Sequence, residues 1–513
     1  MNTVLKYLQI FTKFLNSIIQ GWANLQRRHF ASIFFLSLII CGCLVSCLYS
    51  GTAHAETSVT GVISSDTTWT QANSPYTLSG NVLIKQSVTL TIEPGVTVKL
   101  NSFYLRVDGT LKAEGTSTNK ISLIREASDP FNDQPGIQFT DKSSPWDEKT
   151  KTGCIISNAI VTSSLDTHTI AISSASPKIC NSTITNSGYQ RGIFVDNGGA
   201  PIIVDNLISS NFAGITVTSF LSHSGNNCTI ANNTIFNCAV GIEVYGSSPL
   251  ISGNLIINNT NSQPYSAGIR LDYLSTNATI QNNTIVLNNI GLKFFENANA
   301  TLLYNNIQNT NYNIYLSPPQ TTGNLNATYN WWGTTDNDAV KQSMYDFKND
   351  FNLGNVYTEP LLTGPNNQAP TYAIASAGAG GSISPVGITK LTFGDTQTYS
   401  ITPSSGYHIA DVLINGSSVG AVTSYTIENI QGATTISASF ATDPTPTPTA
   451  NPTTTANPTT TSNPTSNPTS TPSPTPTVPE FTSVLTIALL LLASASLAVF
   501  YKTRPNKPLN TPI

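Results

Sequence analysis

Between Ile155 and Leu316 the chain repeats a short pattern of apolar and polar residues. Each repeat has an aliphatic residue, a polar residue three positions later, an isoleucine five positions later, and then Gly-Ile-x-Val or a variant of it. The first aliphatic positions are Ile155, Ile179, Ile203, Ile230, Ile251, Ile280 and Leu302. The second are Ile160, Ile184, Ile208, Ile235, Ile256, Ile285 and Ile307. Constant offsets within repeats of variable length predict the stacked rungs of a solenoid.

The polar residue of the repeat is asparagine in all but one case. The set is Asn158, Asn206, Asn233, Asn254, Asn283 and Asn305, with Ser182 as the exception. An amide repeated at rung spacing can hydrogen-bond its copies above and below, so we expect an asparagine ladder. The glycine of each Gly-Ile pair is expected at a corner, where it would supply left-handed or otherwise strained backbone.

Composition and patterning divide the chain into six segments. Short alternating strands begin at Val82, so the solenoid is expected to start ahead of the repeats. The predicted segments are an amphipathic region with an export signal (1–55), the solenoid with a C-terminal cap (56–365), a small β domain (371–442), a Pro/Thr/Asn-rich linker (443–479), a transmembrane helix (480–502) and a basic cytoplasmic tail (503–513). The fold class expected is therefore all-β, with a stalk and a C-terminal membrane helix.

The N-terminal segment predicts export. An amphipathic stretch from Met1 to Arg28 precedes an uncharged apolar run from Ala31 to Tyr49, and Ala53-His54-Ala55 forms a small-x-small cleavage site. The apolar run is also long enough for an uncleaved signal anchor. Leu44-Val45-Ser46-Cys47 offers a third alternative, since it has the form of a bacterial lipoprotein box.

The C-terminal segment predicts a membrane anchor. The uncharged run from Phe481 to Tyr501 can cross a bilayer, and the basic residues that follow it fix that end in the cytoplasm. The membrane is therefore an expected partner, and the region between the two apolar runs is expected at the cell surface. Frequent proline in residues 443–479 favours an extended polyproline-II stalk.

The repeat resembles the right-handed parallel β-helix proteins, a group that includes pectate-lyase-like and other carbohydrate-active or carbohydrate-binding proteins. The resemblance runs from about Ser64 to Leu362, and NATYNWWGTTD with the following YDFKNDFNLGNV is similar to the closing turn and cap of such helices. A helical face with Val340, Met344 and Phe347 is expected to cover the last rung. We expect Trp331 and Trp332 to be capping residues, with a sugar-binding platform as the alternative. Asp336-x-Asp338 is expected to cap a helix rather than bind calcium.

Two further resemblances concern the C-terminal third. Residues Tyr372 to Phe440, with GGSISP, GDTQTYSITPSSGYHIADVLING and ISASF, resemble the divergent internalin-B-type bacterial repeat, which implies a spacer or adhesion module. The Pro-Glu-Phe tripeptide, apolar span and basic tail resemble the PEF-type sorting signals of archaeal surface proteins. That resemblance implies processing by an archaeosortase, and a simple anchor is the alternative.

Charge and cysteine content limit which partners and bound groups can be expected. Only 10% of the 513 residues are charged and the net charge is −4, with no Lys/Arg cluster interleaved with aromatics, so nucleic acid is not an expected partner. Cys41, Cys43 and Cys47 lie in the export run. The other cysteines, Cys154, Cys180, Cys228 and Cys238, form no CxxC pair or Cys/His cluster. Neither a disulfide framework, a metal site nor a cofactor is expected.

Nine Asn-x-Ser/Thr triplets in the exported part predict a glycosylated surface protein. Because Asn-rich rungs generate such triplets by chance, only some are expected to carry glycans. They are Asn181, Asn227, Asn232, Asn258, Asn277, Asn282, Asn299, Asn326 and Asn415.

The outward residues after each Gly-Ile pair form the candidate site. One column is Phe194, Thr216, Glu243, Arg270, Lys293 and Tyr315, and its neighbour is Asp196, Thr218, Tyr245, Asp272, Phe295 and Ser317. The candidate catalytic residues are Glu243, Arg270 and Asp272, since paired carboxylates with an arginine can act in glycoside hydrolysis or lyase proton abstraction. The candidate ligand-binding residues are Tyr245, Lys293 and Phe295. The alternative is that Glu243 and Arg270 form a cross-rung charge pair.

The catalytic motifs of the enzyme families with this fold are not found in these rungs. The clustered Asp, Gly-His-Gly and Arg-x-Lys elements of polygalacturonases, and the Asp ligands with a basic residue of pectate lyases, have no counterpart here, and His168, His223 and His408 are scattered. We therefore expect a non-enzymatic surface protein for adhesion, glycan binding or envelope architecture. The alternatives are a polysaccharide lyase or hydrolase and a purely structural spacer. Substitution of Thr216, which is expected to be exposed, should have little effect.

Overall fold

The computed structural model describes residues 56–125, 134–164, 168–186, 190–219, 228–260, 266–273, 276–318 and 321–444. Almost all regular structure in them is β-strand; the exceptions are one α-helix, Asn337–Gln342, and one 3₁₀-helix, Gln71–Asn73. Among these residues no helix is long and apolar enough to cross a membrane. The predicted export signal, most of the linker, the transmembrane helix and the tail lie outside the described residues.

The solenoid consists of three parallel sheets that run along its length. Sheet one contains Thr67–Trp69, Thr89–Ile92, Thr110–Glu114, Ile155–Ser157, Lys178–Cys180, Ile202–Val204, Thr229–Ala231, Leu250–Ser252, Asn277–Gln281 and Asn299–Leu303. Sheet two contains Thr97–Lys99, Ile121–Arg125, Ala159–Ser163, Thr183–Asn186, Leu207–Ser209, Thr234–Phe236, Leu255–Ile257, Thr284–Val286 and Asn306–Gln308. Sheet three contains Leu105–Val107, Ile137–Phe139, Ile170–Ser173, Arg191–Asp196, Ala213–Thr218, Val240–Tyr245, Ala267–Asp272, Ile290–Phe294, Tyr312–Leu316 and Met344–Tyr345. The first strands, Thr57–Ile63 and Tyr76–Ile84, each run through both sheet two and sheet three.

The two predicted inward columns are confirmed from the second repeat onward. Each rung places one residue of the first column in sheet one and one of the second in sheet two, directly opposite its copy in the next rung. All of these side chains are buried. They share a single hydrophobic core with the inward Ile, Val and Leu residues of sheet three. The core is therefore continuous along the solenoid, because no rung can bury its apolar face alone.

The predicted register of the first repeat is wrong by one residue. Ile156, and not Ile155, lies opposite Ile179, and Val161 takes the inward position predicted for Ile160. Ile160 is instead 37% exposed. Successive residues of a strand point to opposite faces, so two adjacent aliphatic residues leave the register ambiguous in the sequence.

The asparagine ladder is confirmed, and its bonds are regular. Each Nδ2 donates to Oδ1 of the asparagine in the next rung: Asn206 to Asn233 at 3.0 Å, Asn233 to Asn254 at 3.0 Å, Asn254 to Asn283 at 2.9 Å, Asn283 to Asn305 at 3.0 Å and Asn305 to Asn330 at 2.9 Å. The backbone N–H of each ladder residue donates to the same oxygen. Asn158, predicted as a member, instead occupies a left-handed corner with φ of 46°. Ala159 occupies the ladder position of this rung, and its backbone N–H donates to Ser182 Oγ at 3.0 Å.

A second asparagine ladder follows the corner between sheets two and three. Asn259 donates from Nδ2 to Asn288 Oδ1 at 2.9 Å, and Asn288 to Asn309 Oδ1 at 2.9 Å. The N–H of Cys238 donates to Asn259 Oδ1 at 2.9 Å and so begins this ladder one rung earlier. Its signal was present in the sequence, because Asn259 and Asn288 stand three residues after inward isoleucines.

The glycines predicted at corners instead lie inside the strands of sheet three, as the second residue of each, and they are required there for a different reason. Gly214, Gly241 and Gly268 are not in the left-handed region of backbone space. A Cβ atom on Gly241 would lie 2.5 Å from the carbonyl oxygen of Gly268 and 2.9 Å from Ile256 Cγ2. The glycines therefore allow close stacking of adjacent rungs, where any side chain would collide with the next backbone.

The C-terminal cap agrees with the prediction in part, because only Val340 of the three residues predicted on one helical face lies in the helix. Asp336 caps the helix Asn337–Gln342, since its carboxylate accepts the N–H of Asp338 at 2.9 Å. Val340 and Met344 are buried against the last rung. The helix ends before Met344, which lies in a strand, and Phe347 is 41% exposed. The two tryptophans act in the cap, because the indole of Trp332 is buried and the N–H of Trp331 donates to Asn305 O at 2.8 Å.

The residues after Pro370 form a small β domain with two sheets. The five-stranded sheet has the spatial order Gly387–Leu391, Thr371–Ala377, Thr434–Thr442, Tyr407–Ile414 and Ser417–Gly420. The three-stranded sheet has the order Gly381–Ser384, Gln397–Pro403 and Ser424–Ile427. The first and last strands of the domain, Thr371–Ala377 and Thr434–Thr442, are parallel neighbours. The domain has its own core around Tyr399, Val412 and Ile436.

The small domain packs against the outer face of sheet two. Tyr372 lies in a buried apolar cluster with Leu255, Ile257 and Val286, which are outward residues of the solenoid. Lys390 donates a hydrogen bond from Nζ to the carbonyl of Asn232. Outward aliphatic residues in these rungs were a sequence signal for a covered face, and the solenoid and the domain form one compact unit.

Substitution of Ile256 by aspartate should lower the free energy of unfolding by more than about 4 kcal/mol, because it places an unpaired carboxylate in the continuous core. Ile256→Val, the matched control, should cost about 1 kcal/mol. Chemical denaturation followed by circular dichroism measures both. A soluble Ile256→Asp variant with unchanged unfolding would refute the inward column.

Substitution of Gly241 by alanine should also be destabilising, by about 1–3 kcal/mol, since the new methyl group overlaps the backbone of the next rung. Gly364 is the control, because no atom lies within 4 Å of the position a Cβ would occupy there. The same denaturation measurement applies. Equal stability of the two alanine variants would contradict the steric role of Gly241.

Candidate functional site

The candidate residues lie together on the outer face of sheet three. The pairing of its strands places Thr216, Glu243, Arg270, Lys293 and Tyr315 in one column on successive rungs. The neighbouring column has Thr218, Tyr245 and Asp272 in register. The structure therefore brings the candidate catalytic and ligand-binding residues onto one surface.

Glu243 lies at the centre of this surface and is completely buried. Thr216 Oγ1 donates to Glu243 Oε2 at 2.9 Å, and the Tyr245 hydroxyl donates to Oε1 at 3.2 Å. Arg191 Nε lies 3.4 Å from Oε2, and Arg270 Nη1 lies 3.8 Å from Oε1. Each carboxylate oxygen thus has a hydroxyl group and a guanidinium group beside it, and of these four groups only the Tyr245 hydroxyl comes from the same strand as Glu243.

Arg270 connects Glu243 to the second carboxylate. Its Nη2 lies 2.9 Å from Asp272 Oδ2, and its guanidinium group packs over the ring of Phe295 at 4.6 Å and over that of Tyr245 at 5.3 Å. A planar guanidinium group suits both contacts, because it donates in the plane and stacks on its faces. The cross-rung charge pair expected as the alternative is therefore present, within a larger network.

Lys293, in the rung that follows Arg270, lies between two aromatic rings. Its Nζ is 5.1 Å from the ring centre of Phe295 and 5.2 Å from that of Tyr315, distances at which a ring face attracts a cation. Burial, followed by the positive charge of Arg270, lowers the pKa of Lys293 from its ordinary value. Tyr315 in turn stacks on Tyr345 with ring centres 4.4 Å apart. Cations and rings therefore alternate along this end of the sheet.

The burial of this face also affects Tyr245. Burial, followed by the negative charge of Glu243, raises the pKa of its hydroxyl well above the ordinary value. The hydroxyl is therefore neutral and acts as a donor to Glu243. This proton is held in the network and would be released only in strongly basic solution.

The arrangement does not suit Glu243 as a general acid or base. Such a group has to come within hydrogen-bond reach of the substrate, and both oxygens of Glu243 already accept bonds in a site without solvent access. Asp272 is held by Arg270 and by the N–H of Tyr273 at 3.0 Å. The polar atoms of both carboxylates thus stabilise the sheet.

Sequence reasoning missed two members of this site. Arg191 lies in register with Ala213, two rungs before Glu243, and reaches Glu243 across the intervening strand. Its signal was a charged residue at a position that is aliphatic in the neighbouring repeats. Tyr273 is 41% exposed with φ of 70°, and its ring lies 6.1 Å from that of Tyr245. Bulky residues rarely adopt that backbone conformation.

His168 and Asp196 lie at the other end of the face. The His168 ring packs on Phe194 at 4.5 Å, and burial, assisted by Arg191, lowers its pKa to about 4. The histidine is therefore neutral at pH 7. Burial raises the pKa of Asp196. Neither group touches Glu243, and neither joins the candidate catalytic set.

The predicted exposure of Thr216 is wrong. Only 1% of its surface is exposed, and its hydroxyl accepts from Arg191 Nε at 3.0 Å while it donates to Glu243. Position alone suggested an outward and therefore solvated side chain. Arg191, from the preceding strand, lies against it instead.

The predicted glycosylation sites differ in their surroundings. Seven of the nine asparagines are exposed: Asn181, Asn232, Asn258, Asn277, Asn299, Asn326 and Asn415. Asn282 is partly buried, and its Oδ1 accepts from Asn366 Nδ2 at 2.9 Å. The hydroxyl of the same triplet, Thr284, donates to Pro370 O under the small domain. Asn227 lies outside the described residues.

The four cysteines in the described part of the chain are free and buried. Burial raises the pKa of Cys154 to about 11 and that of Cys238 to about 12. Within the described ranges no group of His, Cys, Asp and Glu side chains is arranged to hold a metal ion. These thiols pack as small apolar side chains.

Comparison with known proteins agrees with this fold. Residues 128–285 and 218–321 match the family described as "Right handed beta helix region". The two overlapping matches cover less than half of the chain and lie within the solenoid. The chain therefore contains a right-handed β-helix, as its repeats predicted. No curated protein matches the chain.

Solved structures similar to the chain include an epimerase and a tailspike protein. A periplasmic alginate epimerase is 13% identical with a TM-score of 0.27, over 56% of this chain and 75% of that one. The Dettilon tailspike protein is 15% identical with a TM-score of 0.26, over 66% of this chain and 77% of that one. At these scores the likeness carries no information about function.

Substitution of Thr216 by valine should lower the free energy of unfolding by about 1–3 kcal/mol, because it removes a buried hydrogen bond from the Glu243 carboxylate and another from Arg191 Nε. Thr402 is the control, since it is exposed on the three-stranded sheet of the small domain, and its valine variant should change stability by less than about 0.5 kcal/mol. Thermal melting compares the two. A neutral Thr216→Val would show that the hydroxyl does not support the network.

Proposed function

We propose that the chain is a non-enzymatic surface protein that binds carbohydrate through the outer face of sheet three. The observation that carries the proposal is the alternation of Arg270, Phe295, Lys293 and Tyr315, with their cations against ring faces in adjacent rungs. Rigid strands hold these groups at a regular spacing, which suits a repetitive ligand. Carboxylate or sulfate groups of an acidic polysaccharide would meet the basic side chains.

The accessible charges of the face favour an acidic ligand. Of its three carboxyl groups, Glu243 is completely buried, Asp272 is paired with Arg270, and burial raises the pKa of Asp196. Lys293 is itself only 6% exposed, so the cations that a ligand reaches first are those of Arg191 and Arg270. Side-chain surfaces of Arg191 and Arg270 are 26% and 17% exposed, respectively.

The enzyme alternative is a polysaccharide lyase or hydrolase that uses Glu243, Asp272 and Arg270. The closed network around Glu243 argues against it, because a general base that cannot reach the substrate cannot remove its proton. Polygalacturonate and neutral polysaccharides incubated with the full chain test the alternative. New reducing ends or unsaturated uronates that disappear in Glu243→Gln would establish the enzyme and overturn the binding proposal.

The same proposal places the protein at a cell surface. The export signal or signal anchor, the proline-rich stalk and the apolar C-terminal run support an extracellular solenoid tethered to the membrane. The resemblance of Tyr372 to Phe440 to internalin-type repeats supports an adhesion role, and the PEF tripeptide supports an archaeal sorting signal. Mass spectrometry of the native protein measures both termini and the occupied Asn-x-Ser/Thr triplets.

Substitution of Lys293 by methionine should weaken binding to polygalacturonate or to a sulfated glycan roughly tenfold, because one buried charge contact of about 1.5 kcal/mol is removed while the side-chain volume is kept. Isothermal titration of the full chain, in a detergent without sugar, measures the affinity. Lys112→Met, in sheet one, is the control and should bind as the unaltered chain does. Unchanged affinity of Lys293→Met, or no acidic glycan bound by the full chain, would refute the site.

A further inference from the structure

A left-handed backbone position recurs at the corner between sheets one and two. It is the residue immediately before each member of the first asparagine ladder. In five rungs it is Asn, Asp or Gly, the residue types that tolerate this conformation. The positions are Asn181, Asp205, Asn232, Gly253, Asn282, Tyr304 and Tyr329.

The two tyrosines of this corner depart from the pattern. Tyr304 and Tyr329 have φ of 59° and 56°, a conformation in which a bulky side chain is strained. Burial does not offset that strain, because each residue is 45% exposed. The backbone would be relaxed with asparagine, as at Asn282 in the preceding rung. Folding of the solenoid therefore does not account for two tyrosines here.

The two rings form an exposed pair on adjacent rungs. Their centres are 6.3 Å apart and their planes are inclined by 42°, so they make a shallow open angle and do not stack on each other. The backbone beneath them is fixed, since Tyr304 N–H donates to Tyr329 O at 2.8 Å and Tyr329 N–H donates to Pro360 O at 2.7 Å. Neither hydroxyl has a hydrogen-bond partner in the described part of the chain.

The surroundings of the pair are polar and carry no net charge. Asn366 donates from Nδ2 to Tyr304 O at 2.5 Å and to Asn282 Oδ1 at 2.9 Å, and so lines one side with amide groups. Beside Pro360, the carboxylate of Glu359 is paired with Lys341 at 3.3 Å. These contacts offer no unpaired charge to attract an acidic or a basic ligand. The amide groups beside the rings are also unfavourable for contact with a lipid surface.

We propose that Tyr304 and Tyr329 form a binding site for a neutral saccharide. The apolar C–H face of a pyranose ring packs on the electron-rich face of a tyrosine, and two rings one rung apart match the length of a sugar unit. The tyrosine hydroxyls and the neighbouring amides supply hydrogen bonds to the sugar hydroxyl groups. The site lies at the corner of sheets one and two, and it does not depend on the acidic-glycan site of sheet three.

The test uses the full chain and labelled neutral oligosaccharides of glucose, mannose and N-acetylglucosamine, with titration calorimetry on those bound. The double variant Tyr304→Asn/Tyr329→Asn should bind at least tenfold more weakly, while its melting temperature stays equal or rises because asparagine suits the corner. Tyr304→Phe/Tyr329→Phe keeps the rings and should retain part of the affinity. Tyr357→Asn is the control, since Tyr357 is exposed elsewhere on the cap.

Four outcomes would overturn the proposal. Full affinity of the asparagine double variant, or no neutral saccharide bound by the unaltered chain, would remove the site. A marked fall in the melting temperature of that variant would assign the rings a structural role. Tyrosine-dependent binding to phosphatidylcholine vesicles without saccharide binding would replace the sugar by a lipid surface. Because Lys293→Met should leave neutral-saccharide binding unchanged, failure of the sheet-three site and failure of this one are distinguishable.

Discussion

The first asparagine ladder is the interaction on which the rest of the solenoid depends. At each corner the chain turns inside a stack of rungs, where a backbone N–H without a partner would cost about 1–3 kcal/mol. Each ladder amide accepts the N–H of the previous rung and donates both to the next amide and to a backbone carbonyl, as Asn254 does with Asn283 and Ile230. Every member is satisfied by its neighbours, so the corner has one geometry at every rung.

Fixed corners give the outer faces their precision. Because the rungs stack without slipping, Glu243, Arg270 and Lys293 lie opposite one another, and long side chains from neighbouring strands close over the carboxylate. The same regularity allows a departure to be recognised. Tyrosine at a corner that otherwise carries Asn, Asp or Gly is informative only because the other rungs show what the backbone requires.

The inward columns and the first ladder could be predicted because both recur at fixed offsets within one repeat. The predictions that were wrong concerned features that depend on contacts between repeats. The register of the first rung required a choice between Ile155 and Ile156, which only the neighbouring strand makes. The burial of Thr216 depends on an arginine from the preceding rung, and the glycines of sheet three are required because of the backbone of the following rung. The predictions of glycosylation and membrane anchoring depend on parts and modifications that the fold does not test.

The parallel pairing of the first and last strands of the small domain has a mechanical consequence. The chain enters at the beginning of Thr371–Ala377 and leaves at the end of Thr434–Thr442, and these strands lie side by side from the pair Ala373 and Thr434 to the pair Ala377 and Ala438. Tension between the two ends would slide the strands past each other and load their hydrogen bonds simultaneously in shear. Such a connection resists pulling better than one whose bonds open one at a time.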